Sequence, residues 1–262
     1  MAPPRVERWA GLLRSLAVYW RPGRQRGLRQ LYRPWVGPGD LVFDVGAHVG
    51  DRATAFSARG AQVVALEPQP EIRRWLVRLV GGRPGVTIRS EAVGSAPGTA
   101  QLAVSHRTPT VSSLAERWTT ALPEANPSFR QVRWEDTVEV SVTTLDALIG
   151  TYGMPRFCKI DVEGFEVEVL TGLSRPLPGL SFEFVAGALD VPIACVQRLE
   201  ALGRYELNAV RGEERRFVSE RWLSPTEMVR WLERGAGGAP SGDVYARLLA
   251  PASYPSAGRL DG

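Results

Sequence analysis

From Leu41 onward, short apolar runs alternate with stretches in which apolar residues recur every three or four positions. LVFDVG (41–46), QVVALEP (62–68), RFCKIDVEG (156–164) and LSFEFV (180–185) have the length and near-continuous apolar character of strands covered on both faces. Between them, DRATAFSAR (51–59), QPEIRRWLVRLV (69–80) and FEVEVLTGL (165–173) have helical spacing. This alternation predicts an α/β domain with a mostly parallel sheet and helices on both faces. VTIRSEAVG (86–94) reads as one further strand, and GTAQLAVS (98–105) as a strand lying off the central sheet. VEVSVTTLDALIGTYG (138–153) gives a strand and a helix. Towards the end, LNAV (207–210), RRFVS (215–219) and DVYARLL (243–249) read as strands, with SPTEMVRWLER (224–234) as a helix.

Two segments break the rhythm. Residues 105–136 are polar and aromatic with interspersed prolines, and a loop of that length in a compact domain is usually functional, so it reads as a substrate-side flap. At the N-terminus, Leu12, Leu13, Leu16, Tyr19 and Trp20 recur at helical spacing beside Arg5, Arg8, Arg14 and Arg21, a basic amphipathic helix. Packing on the main domain is favoured over docking to a partner or a membrane surface through residues 5–21. The glycines and prolines of VGPGD (36–40) mark the entry to the main domain. The expected division is an N-terminal helical extension (1–38), a main domain (39–250) and a disordered C-terminal tail (251–262).

Composition narrows the class. With 262 residues, 44% of them hydrophobic, the chain can bury a sizeable core. Its net charge of +4 is the difference of 32 basic and 28 acidic residues that are mostly interspersed, which does not make a nucleic-acid surface. The longest uncharged run near the N-terminus, Ser15 to Trp20, is far below spanning length. Cys158 and Cys195 lie in apolar surroundings without metal-ligand spacing, and so read as free thiols in a reducing, cytoplasmic compartment.

Chemistry concentrates at two strand ends. DVGAHVG (44–50) forms a strand-to-helix turn in which Asp44, Gly46, Ala47, His48 and Gly50 can approach a cofactor, since ligands of open α/β sheets sit at the carboxyl ends of strands. It lacks the glycine spacing of the dinucleotide fingerprint. Glu67, closing the second strand, suits a carboxylate that accepts from two ribose hydroxyls. An NAD site could be built similarly, but the missing glycine and the acidic residue before the turn favour S-adenosylmethionine. The second end holds the only lysine of the chain, Lys159, among 32 basic residues. An extended strand would turn Lys159, Asp161 and Glu163 to one side. Asp161 is then the candidate base or the group that orients the acceptor. Glu163 stands behind it or against the substrate, and Lys159 fixes their charge, at the cost of weakening Asp161 as a base. A divalent metal would need a third oxygen ligand, which the sequence does not supply, so none is expected.

DVGAHVGDRATAF, VVALEPQP, EAVGSAPGTAQL, VTTLDAL and FCKIDVEGFEVEVLTGL, in this order, resemble the FkbM family of S-adenosylmethionine-dependent methyltransferases. The resemblance covers about Leu41 to Val185, with an echo in GDVYAR. It implies a Rossmann-like seven-stranded methyltransferase sheet and O-methylation of a hydroxyl on a sugar or natural product. It also implies that Glu91 and Ala92 of EAVG join the cofactor's contacts. The family's turn usually has Asn where His48 stands, and its acidic strand continues Phe-Glu-Pro-Asn where this chain has Leu66 to Gln69. The expected partner is a small hydroxylated substrate. The alternatives are an NAD-dependent oxidoreductase and a non-catalytic domain of the same fold that docks a partner. His48 is expected to satisfy the backbone or meet the cofactor. His106 stands at the start of the flap, and Ser112 and Ser113 read as a helix cap or a ligand contact.

Overall fold

A computed structural model describes residues 5–249, with only the backbone described for residues 5–10. The predicted tail, 251–262, and the side chains of Arg5 and Arg8 lie outside the described part. In chain order the elements begin with α1 (Arg5–Tyr19), α2 (Arg24–Leu31), β1 (Leu41–Val45), α3 (Asp51–Ser57), β2 (Gln62–Leu66), α4 (Pro70–Val80), β3 (Val86–Arg89) and β4 (Ala92–Val93). They continue with β5 (Gly98–Val104), α5 (Glu116–Thr120), α6 (Leu122–Ala125), β6 (Asp136–Thr143), α7 (Leu145–Tyr152), β7 (Phe157–Ile160) and α8 (Glu166–Thr171). The last are β8 (Gly179–Val185), α9 (Asp190–Leu202), β9 (Tyr205–Arg211), α10 (Pro225–Glu233) and β10 (Ser241–Leu248).

Seven strands form one sheet in the order β3-β2-β1-β7-β8-β10-β9. The first five run parallel, and β10 inserts antiparallel between β8 and β9. β1 and β7, both almost wholly buried, pair at its centre with Asp44 opposite Lys159. A second sheet, β4-β6-β5, stands apart. GTAQLAVS therefore does leave the central sheet. VTIRSEAVG is split, because its first half extends the large sheet beside β2 and Ala92–Val93 pairs with β6 in the small one. RRFVS forms no strand; Phe217 makes only an isolated bridge to Val210.

One face of the large sheet is covered by α7, α8, α9 and α10, whose Leu148, Val169, Val196 and Leu232 pack with Phe43, Ile160 and Phe182. On the other face Leu28 of α2 and Tyr32, Trp35 and Val36 beyond it pack with Phe56, Phe157 and Tyr245. Full burial of such side chains contributes about 1.5–3 kcal/mol each. Arg24 opens α2 and is completely buried, its Nε 2.7 Å from Asp51 Oδ2 at the start of α3. In α1, Leu12 is buried against Val49 and Ile72, with Leu16, Tyr19 and Trp20 alongside. Leu13, expected on the same face, is exposed because it is turned about 100° from Leu12 around the helix. Among the described residues no helix is long and apolar enough to cross a membrane.

Candidate active site

A cavity of about 220 Å³ opens at the carboxyl ends of β1, β2 and β7. Its floor is the turn after β1. Gly46 there has φ +79°, and a Cβ on it would collide with the carbonyl of Asp161, so only glycine lets the ends of β1 and β7 meet. His48 also adopts a left-handed conformation, φ +48°, uncommon for a residue with a side chain. That conformation aims its N–H at Glu67 Oε2, 2.9 Å away, while the Gln69 N–H donates to Oε1 at 2.8 Å. Glu67 is thus fixed by two backbone donors at the cavity wall, and burial pushes its carboxyl up to about 7.

Both ring nitrogens of His48 lack a hydrogen-bond partner, and burial pulls its pKa down to about 4, so the imidazole is neutral. Tyr19 of α1 meets that ring edge-on at 5.3 Å and forms part of the cavity wall. Trp20 fastens the same helix end by donating from Nε1 to the Val49 carbonyl at 3.2 Å. Arg52, in the first turn of α3, brings a guanidinium to the cavity. Its charge is shared with Asp51 at 3.3 Å and Asp243 at 4.0 Å, and its Nε has no partner.

The charged row beyond β7 is built differently from the expectation. The strand ends at Ile160, so Asp161 and Glu163 are not on one face of a strand. Glu163 at φ +54° and Gly164 at φ +92° reverse the chain, and the buried Glu166 carboxylate accepts from the N–H groups of Val162 and Gly164 at 3.1 and 3.3 Å. Trp118 of α5 lies so close to Gly164 that a Cβ would strike its ring. Ser113 supports the turn by donating to the Glu163 carbonyl at 2.6 Å, and its hydroxyl also accepts from the N–H of Ala115. The turn brings Asp161 and Glu163 to the cavity together.

Lys159 lies beneath them, fully buried. Its ammonium is 3.1 Å from Asp161 Oδ2 and 2.9 Å from Asp243 Oδ1, and it donates to the Ile160 carbonyl at 3.3 Å. The two carboxylates hold its pKa above the ordinary lysine value despite burial. In return Lys159 holds the Asp161 carboxyl below its usual range, against the opposing effect of burial. Glu183 of β8 supplies the third carboxylate that the sequence did not: ligand oxygens of Asp161, Glu163 and Glu183 lie within 4.8 Å of one another, a set able to hold a metal ion. Burial, and then repulsion from neighbouring carboxylates that include Asp161 and Glu166, raises Glu163 and Glu183 well above the ordinary value.

Other predicted residues sit outside the cavity lining. Asp44 is buried behind the turn, with its carboxyl pushed up to about 7 by burial. Ala47 is buried in the core, and Gly50 admits the side chains of Leu76 and Val80 of α4. Glu91 is paired with Arg89, and Ala92 packs in the small sheet's apolar cluster. His106 is buried, 3.6 Å from Asp136, away from the cavity, whereas Ser112 lines it. Sequence reasoning missed Arg52, Glu183, Asp243 and Tyr19. Arg52 did leave a signal, because a cation in the first turn of a helix opposes the helix dipole.

The donor set fits S-adenosylmethionine. Glu67 can accept from a ribose diol, the unpartnered Arg52 Nε suits an amino-acid carboxylate, and the glycine at position 46 keeps the turn open to close approach. The match to a known family agrees. The sequence profile of the methyltransferase FkbM domain matches residues 44–234. The chain is 28% identical over 179 residues to the hexuronic acid methyltransferase AglP of Haloferax volcanii, covering 66% of this chain and 67% of that protein. Among solved structures it is similar to a TehB-like SAM-dependent methyltransferase from Corynebacterium glutamicum, with TM-score 0.49 and 13% identity over 95% of this chain and 100% of that one. It is also similar to precorrin-6y C5,15-methyltransferase from Geobacter metallireducens, with TM-score 0.45 and 12% identity over 86% and 87% of the two chains.

Proposed function

The chain belongs to the FkbM family of S-adenosylmethionine-dependent methyltransferases, and from that premise we propose that it methylates a hydroxyl group of a sugar. Membership sets aside the NAD-dependent oxidoreductase and the non-catalytic alternatives. The observation that carries the reading is the carboxylate cluster Asp161, Glu163 and Glu183 facing the same cavity as Glu67 and His48. Carboxylates are strong acceptors for sugar hydroxyls, and the relative that acts on a hexuronic acid fits that chemistry.

When bound, S-adenosylmethionine supplies an electrophilic methyl group on a sulfonium centre. Glu67 would hold its ribose and Arg52 its amino-acid carboxylate. Asp161, kept ionised by Lys159, orients the acceptor hydroxyl rather than deprotonating it, because the nearby ammonium lowers its basicity. Glu163, whose raised pKa gives it greater basicity once ionised, would accept the proton of the acceptor hydroxyl. Tyr19 and the flap residues Pro109 and Ser112 line the wall of the cavity.

The test is incubation with S-adenosylmethionine and p-nitrophenyl β-D-glucuronide or β-D-glucoside, followed by mass spectrometry. Gain of one methyl group on the sugar is expected. Cofactor binding without methylation of either sugar would overturn the sugar reading while leaving the family assignment in place.

A further inference from the structure

A second cavity, of about 710 Å³, runs between α1 and the flap and shares Tyr19, Pro109 and Thr110 with the first as a common wall. Its described lining includes two arginines, Arg14 and Arg107, and no carboxylate. Both side chains are exposed and make no ion pair among the described residues. The first cavity has the opposite character: seven of its lining residues are acidic and one, Arg52, is basic. An acidic chamber and a basic groove therefore adjoin across Tyr19 and the 109–110 turn.

We propose that the groove binds the anionic substituent of the acceptor, so that the substrate is a negatively charged sugar held by Arg14 and Arg107. This rests on the sugar reading above and extends it to the substrate's charge. A substrate carboxylate or phosphate placed beside Asp161 would face the carboxylate that Lys159 holds ionised, whereas a neutral hydroxyl can donate to it. The same anion in the groove meets two guanidinium groups suited to paired hydrogen bonds with oxyanions. Ser128 and Gln131 add hydrogen-bonding groups along the groove, and Phe129 adds an apolar face for a sugar ring. The charge partition thus sets orientation, with the anionic end outside and the acceptor hydroxyl inside. The groove's width is set locally by Gly11, where a Cβ would run into the His106 carbonyl, so α1 lies directly against the flap backbone.

The experiment compares binding of p-nitrophenyl β-D-glucuronide, p-nitrophenyl β-D-glucoside and glucose 1-phosphate to the full chain loaded with S-adenosylhomocysteine, by calorimetry. At least one anionic sugar is expected to bind about tenfold or more tightly than the neutral glucoside. Whichever of the glucuronide and the phosphate binds more tightly identifies the charge as carboxylate or phosphate. Arg14→Ala and Arg107→Ala should each remove most of that advantage while leaving glucoside binding and S-adenosylhomocysteine affinity unchanged. Both positions are exposed, so folding is expected to survive. Equal binding of the glucoside and both anions, or an anion preference untouched in both variants, would overturn the proposal and leave the sugar reading standing. Binding of none of the three to the loaded protein would overturn the sugar reading itself.

Discussion

Lys159 on β7 and Asp243 on β10 lie 84 positions apart in the chain, yet their side chains meet at 2.9 Å beneath the cavity. β8 lies between the two strands, and its Ser181 faces Lys159 on one side and Tyr245 on the other, so the contact spans the sheet. With Asp161 at 3.1 Å on its other side, the ammonium joins the end of the parallel half of the sheet to the antiparallel strand. An arginine in its place would need room for a planar fork in a wholly buried position.

Removing the cation should therefore be costly. Lys159→Met removes the ammonium shared by Asp243 and the half-buried Asp161 and is expected to lower stability by about 3 kcal/mol, read from urea unfolding. Lys159→Arg keeps the charge but displaces Asp161. It should fold, bind cofactor nearly as well as the parent, and lose on the order of 100-fold in methyl transfer. Normal turnover in the Arg variant would make the lysine a purely structural charge.

Glu67 gives a pH-dependent signature. Its folded pKa of about 7 exceeds the ordinary 4.5, so its contribution to the stability of the unliganded fold is fully present below about 4.5 and is lost as pH rises through about 7. Hydroxyl donors favour the ionised carboxylate, which gives cofactor affinity the opposite trend: it should rise with pH up to about 7 and then level off. Calorimetry in buffers of different ionisation enthalpy should show proton release on binding near pH 6. Glu67→Gln should abolish that release and weaken binding by about 1.5–3 kcal/mol.

Part of the β1–β2 end of the cavity was legible in the sequence because its determinants are local: Gly46, His48 and Glu67 line the cavity, whereas Asp44, Ala47, Gly50, Glu91 and Ala92 do not. DVGAHVG must turn where β1 meets β7, and Glu67 ends the adjacent strand, so apolar runs and glycines sufficed to place both at the cavity. The acceptor side was only half legible. Asp161 and Glu163 reach the cavity, but through a left-handed reversal at Glu163 and Gly164 that strand alternation does not anticipate. Glu183 was hidden in LSFEFV, where one carboxylate in an apolar run carries no sign of the strand beside it. Asp243 depends on a strand order of β8-β10-β9, which is set by distant pairing rather than by local pattern. The split of VTIRSEAVG between two sheets was invisible for the same reason.

α1 tests whether the N-terminal segment belongs to the site. Leu12 is buried against Val49 and Ile72, next to the turn that carries His48, and Leu12→Ala should cost about 2–3 kcal/mol. Deleting residues 1–20 also removes Tyr19 from the cavity wall and Trp20 from the Val49 carbonyl, so both melting temperature and cofactor affinity should fall. A truncated protein with unchanged cofactor affinity would confine the helix to a stabilising role.

The division of labour between Asp161 and Glu163 can be read from pH–rate profiles. Lys159 holds Asp161 ionised across the working range, so its role does not change with pH. Asp161→Asn should lower kcat by a similar factor at every pH, on the order of 100-fold if acceptor orientation is lost, and should leave the shape of the profile intact. Glu163 has a raised pKa and can accept the hydroxyl proton only when ionised. Turnover in the parent should therefore increase with pH as Glu163 loses its proton. Glu163→Gln should be slower by about 100-fold or more and should lose that rising limb. Opposite assignments would follow if Asp161→Asn erased the limb and Glu163→Gln preserved it, because the group that titrates with the rate would then be the aspartate despite its ion pair.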